Sequence, residues 1–206
     1  EKIIQSKPTV VIAQNYDDTF STPFVLFFHS LCPLLPLPID SIKNTIKTLG
    51  DYFNKENRAN EIISNINTSL ASLKGITSNK KVLIVIGPRK NLNNQIYIAG
   101  NNLYFEDILK ASGNKNAFFS TSKNQPVVNS EKIINMNPDI ILLLSPFLDG
   151  KIKEQKKLLT NWQELPVNAS INKNIYIVDK LYAGIPSQRV VYFIKDFKKI
   201  LENVRN

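Results

Sequence analysis

Arg89 and Arg189 are the first residues to weigh for chemistry. The chain has only four arginines, Arg58, Arg89, Arg189 and Arg205. These two each follow an apolar run of strand character and sit near a proline, Pro88 and Pro186. A guanidinium offers a rigid fork of donors that can clamp a carboxylate or phosphate through two parallel hydrogen bonds; the plainer reading of each is a loop arginine paired with a surface carboxylate. Tyr16, Tyr104, Phe147 and Tyr182 offer flat surface for a large ligand, or equally packing. Glu1 and Glu131 are a third pair, equivalent in an internal repeat. A carboxylate near a helix N-terminus can simply stabilise the helix dipole. One on each of two similar lobes would also suit a two-point electrostatic dock onto a symmetric partner.

Catalytic constellations are missing from this inventory. His29 is the only histidine and Cys32 the only cysteine, both inside the apolar stretch 24–39. They read as a satisfied core histidine and a small buried hydrophobe. A single cysteine excludes an intramolecular disulfide and a thiol pair for metal. Asp17-Asp18 is an isolated carboxylate pair suited to turn capping. Seven scattered glycines cannot build a phosphate-cradling loop, and no nucleophile, base and orienter come together. Binding is favoured over catalysis.

The elements that must position these residues begin with the repeat. Glu1-Lys2-Ile3-Ile4-Gln5-Ser6-Lys7-Pro8 returns as Glu131-Lys132-Ile133-Ile134-Asn135-Met136-Asn137-Pro138, offset by 130 throughout, and an apolar run follows each copy. Proline excludes the α conformation from the residue before it, so each copy reads as a helix closing near Lys7 or Asn137, then a buried strand. Two copies predict two similar lobes. Around them the spacing predicts a strand over 9–13 and a short buried helix over 24–31, entered through Thr22-Pro23. A further strand is expected over 34–37. Helices follow from Asp40 (Ile42, Ile46, Leu49, Phe53) and over 55–73. The second is long enough, and free enough of Gly and Pro, to join two lobes as a rigid rod. Strands are expected over 81–86, 96–98 and 175–178, and helices over 105–112, 151–165 and 190–204. Strands alternating with helices predict an α/β fold, a mainly parallel sheet flanked by helices in each lobe. The predicted division is residues 1–54 for the remainder of an N-terminal lobe, 55–74 for the inter-lobe helix and 75–206 for the C-terminal lobe. Ligands of such sheets sit beyond the carboxyl ends of the strands. Here those are Gln14-Asn15-Tyr16, Gly87-Pro88-Arg89, Ser145-Pro146-Phe147 and the loop 180–189.

Composition narrows the class further. The formal charge is +9, with 26 Lys and Arg against 17 Asp and Glu. The lysines are spread along the whole chain, and no aromatic-basic module accompanies them, so nucleic acid is not the expected partner. No run reaches transmembrane length. The chain opens mid-element, so the first lobe is expected to be incomplete at its N-terminus. The signal peptide absent from this chain then says nothing about compartment.

Three segments resemble the solute-binding proteins of ABC importers for vitamin B12, haem and ferric siderophores. They are the two E-K-I-I-x-x-x-P units, the stretch from Ile98-Ala99-Gly100 through Asp107-Ile108-Leu109 to Gly113-Asn114-Lys115-Asn116-Ala117-Phe118, and Trp162 through Ile175–Asp179 to Pro186-Ser187-Gln188-Arg189. The first unit departs from the family pattern in carrying Thr9 where Asp is usual. The resemblance implies two lobes joined by a rigid helix, and a receptor rather than an enzyme. It would be monomeric, and periplasmic or lipid-anchored outside the cytoplasm. It implies an iron chelate, haem or cobalamin as ligand, with no cofactor of the protein's own, delivered to a dimeric permease. On it, Glu1 and Glu131 fall on permease-docking positions, Arg189 on the arginine of the closing P-x-R, and Arg89 and Gln125 among cleft residues. Without an available histidine, Tyr182 is the candidate phenolate ligand or stacking group; no other direct metal ligand is expected. The alternatives are a metal-cofactor enzyme of chelatase or nitrogenase-like architecture, and an interaction module without ligand.

Overall fold

Two runs with hardly a polar residue, Lys81-Val-Leu-Ile-Val-Ile86 and Ile140-Ile-Leu-Leu-Leu144, pair in parallel as the inner strands of a four-stranded sheet. Such continuous apolarity suits strands covered on both faces. The computed structural model describes residues 11–12, 25–26, 38–92, 95–122 and 125–204. In chain order the described elements are β1 (Val11–Ile12), β2 (Val25–Leu26), α1 (Ile39–Tyr52), α2 (Glu56–Ala71), β3 (Lys81–Ile86), β4 (Ile96–Tyr97), α3 (Tyr104–Ala111), β5 (Lys115–Asn116), β6 (Val127–Val128), α4 (Ser130–Met136), β7 (Ile140–Leu144), α5 (Ile152–Gln163), α6 (Asn168–Ile171), β8 (Ile175–Val178) and α7 (Val190–Glu202). Short 3-10 turns, Pro146–Leu148 and Leu181–Gly184, follow β7 and β8. The main sheet is all parallel in the order β5-β3-β7-β8.

Side chains alternate across this sheet and divide the core in two. Val82, Ile84, Ile140, Leu142 and Leu144 face one layer, where they meet Ile66 of α2, Phe105 and Ile108 of α3, and Phe193 and Phe197 of α7. Leu83, Val85, Ile141 and Leu143 face the other, against Ile133 of α4, Leu158 and Trp162 of α5 and Ala169 of α6. α7 earns its place by spacing: Val190, Phe193, Ile194, Phe197 and Leu201 recur at helical intervals and are buried. This is the parallel α/β architecture that the alternation of elements predicts.

α1 and α2 lie close together at their junction. A Cβ placed on Gly50 would come 2.5 Å from the Ala59 Cβ, so only glycine fits there without displacement. Ile39 and Ile42 of α1 belong to the same core as the sheet, and the Ile39 amide donates to Asp107 of α3 at 2.8 Å. The hydrophobic core therefore continues through residue 54, where the sequence places a lobe boundary. The 16-residue helix α2, about 24 Å long, packs on α1, α3 and α7.

The second copy of the repeat folds as its sequence predicts. Asn129 caps α4 by accepting from the Lys132 amide at 2.9 Å, and Asn137 ends it in the left-handed conformation at φ 45°. Pro138 then leads into β7. Of the first copy and its strand, only Val11 and Ile12 are described. The 130-residue offset sets them on Ile141 and Leu142, and they too form a parallel strand. The helix expected over 24–31 is corrected at Val25–Leu26, which pair with Val11–Ile12. A Thr-Pro start is a local signal; an apolar run of this length carries no periodicity, and the neighbouring strand decides it. The strand expected over 34–37 lies outside the described residues, as do His29, Cys32 and Asp17-Asp18. β4 and β6 form an antiparallel side pair, attached to the sheet by an antiparallel bridge between Val85 and Ile98.

Candidate functional site

Because the sheet is parallel, every loop after β5, β3, β7 and β8 emerges at the same carboxyl edge. Each carries an exposed apolar or cationic side chain. Beyond β5 comes Phe119, 80% exposed, in a turn held where the Asn101 side chain accepts from the Ser120 amide at 2.9 Å. Beyond β3, Gly87 turns the chain at φ 59° and presents Arg89 to solvent. The Arg89 carbonyl is fixed from α5, accepting from the Trp162 indole at 3.2 Å. Beyond β7, the turn Pro146–Leu148 exposes Phe147 (78%). Beyond β8, the turn Leu181–Gly184 exposes Leu181, with Ile185 next to it. Arg189 closes this loop, exposed, at the start of α7.

These loops are tied to one another rather than merely adjacent. Gln155 of α5 donates to the Leu148 carbonyl at 2.7 Å and to Asp179 at 3.0 Å, joining the β7 loop to the end of β8. Lys180 pairs with Asp149 at 2.6 Å across the same gap, and the Asp149 hydrogen bond raises the lysine pKa. An ion pair this exposed adds little stability; its consequence is geometric. The Tyr182 hydroxyl donates to Asp196 of α7. Burial first, and then that hydrogen bond and the Asp196 charge, push its pKa up, so Tyr182 is held as a neutral phenol rather than a phenolate.

Of the residues singled out in the sequence, Arg89, Phe147, Tyr182 and Arg189 share this edge. Glu131 stands exposed in the first turn of α4. That helix runs back to the start of β7, which puts its first turn toward the carboxyl edge. Gln125 lies off the strand-end loops, beside the antiparallel pair, its amide donating to the Ile98 carbonyl. Tyr104 is corrected outright. It is 2% exposed, its ring tilted by 35° against that of Phe105 at 4.1 Å, and its hydroxyl donates to the Ala183 carbonyl at 2.5 Å. It is a core side chain, with its pKa raised by burial. Tyr16 and Glu1 lie outside the described residues. Phe119, Leu181 and Ile185 went unnoticed in the sequence. Their position directly after strands was the available signal, but an apolar residue there reads equally well as core.

Tyr104 nevertheless bears on the site, because it holds the Leu181–Gly184 turn from beneath. Tyr104→Phe leaves the buried Ala183 carbonyl without its donor. A loss of about 1–3 kcal/mol is expected in urea unfolding, with hydrogen exchange at 181–184 accelerated more than elsewhere; exchange unchanged there would show that the turn does not depend on this bond.

Comparison with known proteins agrees with this architecture. The family model described as periplasmic binding protein matches residues 1–182. The high-affinity heme uptake system protein IsdE of Staphylococcus aureus is 29% identical over 157 residues, 71% of this chain and 52% of that protein. The chain thus spans about half the length of the curated relatives it matches. Among solved structures, a possible iron-binding (periplasmic solute-binding) protein of Staphylococcus epidermidis superposes with a TM-score of 0.71 at 22% identity, covering 97% of this chain and 78% of that one. A periplasmic binding protein of Veillonella parvula gives 0.71 at 19%, covering 99% and 73%. S. aureus IsdE complexed with heme gives 0.63 at 21%, covering 80% and 65%. A parallel sheet with helices on both faces, its carboxyl edge built from strand-end loops, and a family match over most of its length together establish that the chain belongs to the periplasmic binding protein family.

Proposed function

We propose that this protein is the substrate-binding receptor of an ABC importer, and not an enzyme. It captures haem, a ferric siderophore or a corrinoid between two lobes and hands it to a dimeric permease in the membrane. It works outside the cytoplasm, as a monomer. The observation that carries the reading is the row of exposed Phe119, Phe147 and Leu181 along one sheet edge, with Arg89 and Arg189 on the same edge. Apolar side chains left in solvent beyond the strand ends of one sheet suit the face of a large flat or greasy ligand, and guanidinium groups suit its carboxylates or other anionic substituents. The relatives' own names, an iron-binding protein and a heme uptake protein, point to the same cargo. Gln125, which lies off this edge, is the weakest of the proposed ligand contacts, and Tyr182 serves as a packing surface rather than an iron ligand.

The test is a titration of the protein with haemin, a ferric hydroxamate, a ferric catecholate and cyanocobalamin. It is followed by the fluorescence of Trp162, the chain's only tryptophan. One of these should bind tightly, and Arg189→Ala should weaken it roughly 10–100-fold, the worth of a hydrogen bond to a charged group. No binding across the panel would overturn the reading.

Delivery adds a second expectation. An exposed carboxylate on the ligand-side edge, Glu131, is the proposed contact to a basic patch of the permease, with Glu1 as its repeat-equivalent partner. Glu131→Arg should leave cargo binding intact while lowering cargo-stimulated transport in reconstituted vesicles. Full transport by this variant would remove Glu131 from the dock.

A further inference from the structure

α5 carries charge in a way that its own packing does not explain. Lys151, Lys153, Lys156 and Lys157 crowd its first two turns with only Glu154 between them. Those seven residues hold +3, a third of the chain's formal charge of +9. All four lysines are exposed, and none is paired with a carboxylate among the described residues. The nearby Asp149 is already engaged by Lys180.

Two physical effects make this arrangement unfavourable in isolation. The N-terminus of a helix is the positive end of its dipole, where lysine is disfavoured. Lys153 also stands three and four residues before Lys156 and Lys157, the spacings at which like charges repel on one face. Ile152 joins the same face, four residues before Lys156, and is left in solvent. Leu158 and Trp162 occupy the opposite, buried face. The result is a solvent-facing stripe of three lysines bordered by an exposed isoleucine. It begins five residues after Phe147 on the ligand-side edge.

We infer that this stripe of α5, Ile152, Lys153, Lys156 and Lys157, is a docking surface for a bilayer rich in anionic lipid headgroups. Ammonium groups on flexible stems meet lipid phosphates without needing a fixed geometry, and a single aliphatic side chain can enter the headgroup boundary beside them. An anionic surface relieves the repulsion among the lysines, which no carboxylate among the described residues does by pairing with them. A nucleic-acid duplex would satisfy the charges but has no place for Ile152. The contact would lay the edge that bears the strand-end loops near the membrane. It needs no cargo and so stands or falls separately from the ligand reading.

The experiment is co-sedimentation of the cargo-free protein with vesicles of phosphatidylcholine alone and of phosphatidylcholine with phosphatidylglycerol. Binding is expected only to the second, weakening steeply as salt is raised. Each lysine near such a surface is worth roughly fivefold, so Lys153→Gln/Lys156→Gln/Lys157→Gln should lower binding about a hundredfold. Ile152→Ser should lower it less. Lys132→Gln/Lys195→Gln/Lys199→Gln removes the same charge from exposed sites elsewhere and should have a far smaller effect. An equal loss in that control would show general attraction to net charge and overturn the inference. So would absence of binding, equal binding to the neutral vesicles, or displacement by duplex DNA at equal phosphate concentration. All the exchanged lysines are exposed, so unfolding temperatures should stay together and separate a lost surface from a lost fold.

Discussion

Trp162→Ala is expected to destabilise the protein by about 3–5 kcal/mol, the usual cost of emptying a large aromatic site in a packed core. Trp162 is fully buried in the layer formed by α4, α5, α6 and one face of the sheet, among Leu83, Leu143, Leu158 and Ala169. The same change removes the indole donor from the Arg89 carbonyl, so the β3 loop should loosen along with the fold. Urea unfolding followed by circular dichroism measures the first effect, and hydrogen exchange over 87–92 the second. Trp162→Phe separates them. It keeps most of the ring volume and loses only the indole donor, so it should cost far less in stability while still accelerating exchange in the loop. A cost below about 1 kcal/mol for the alanine variant would mean that α5 is not anchored through this residue.

Phe147→Ser combined with Leu181→Ser should do the reverse, sparing the fold and removing the cargo. Both side chains are exposed, 78% and 66%, so the variant should unfold within about 0.5 kcal/mol of the parent. If they form the apolar floor of the proposed binding face, each contributes roughly 1.5 kcal/mol when a ligand covers it. Together they should lower the affinity for haemin, or for whichever complex binds, about a hundredfold. Affinity unchanged in this variant would move the ligand off the strand-end loops, whatever the protein carries. A weakened fold would instead mean that Phe147 and Leu181 support the loops that hold them.

Much of the scaffold was legible because burial on both faces writes itself into composition. The β-branched and leucine-rich runs 81–86 and 140–144 suit covered strands, and the spacing of Phe193, Phe197 and Leu201 suits a buried helix face; both fold so. Helix ends were legible for the same kind of reason. Pro138 fixes its own φ and restricts Asn137 before it, and Gly113 readily admits the left-handed φ of 78° that ends its helix.

Residues whose role depends on distant partners were not legible. Asp139 looks like the residue after a helix-stopping proline. In the fold its carboxylate accepts from the Lys81 amide at 2.8 Å and from Asn168 at 2.9 Å, fastening β7 to β3 and α6 across sequence separations of 58 and 29. Tyr104 and Phe147 are both aromatic residues beside loops. One became core with a hydrogen bond to the far turn and the other stayed in solvent, and nothing local distinguishes them. Val25–Leu26 followed its neighbour β1 rather than its own helix-start signal.

The sequence by itself determined the α/β class, the layering of helices over a parallel sheet and the edge at which loops gather. These follow from periodic burial and from local backbone restriction, and both are properties of short segments. Only the tertiary structure decided which side chains at that edge remain in water and which polar atoms lock the loops to one another. Those outcomes depend on pairs of groups far apart in the chain, whose contact is set by the assembled fold.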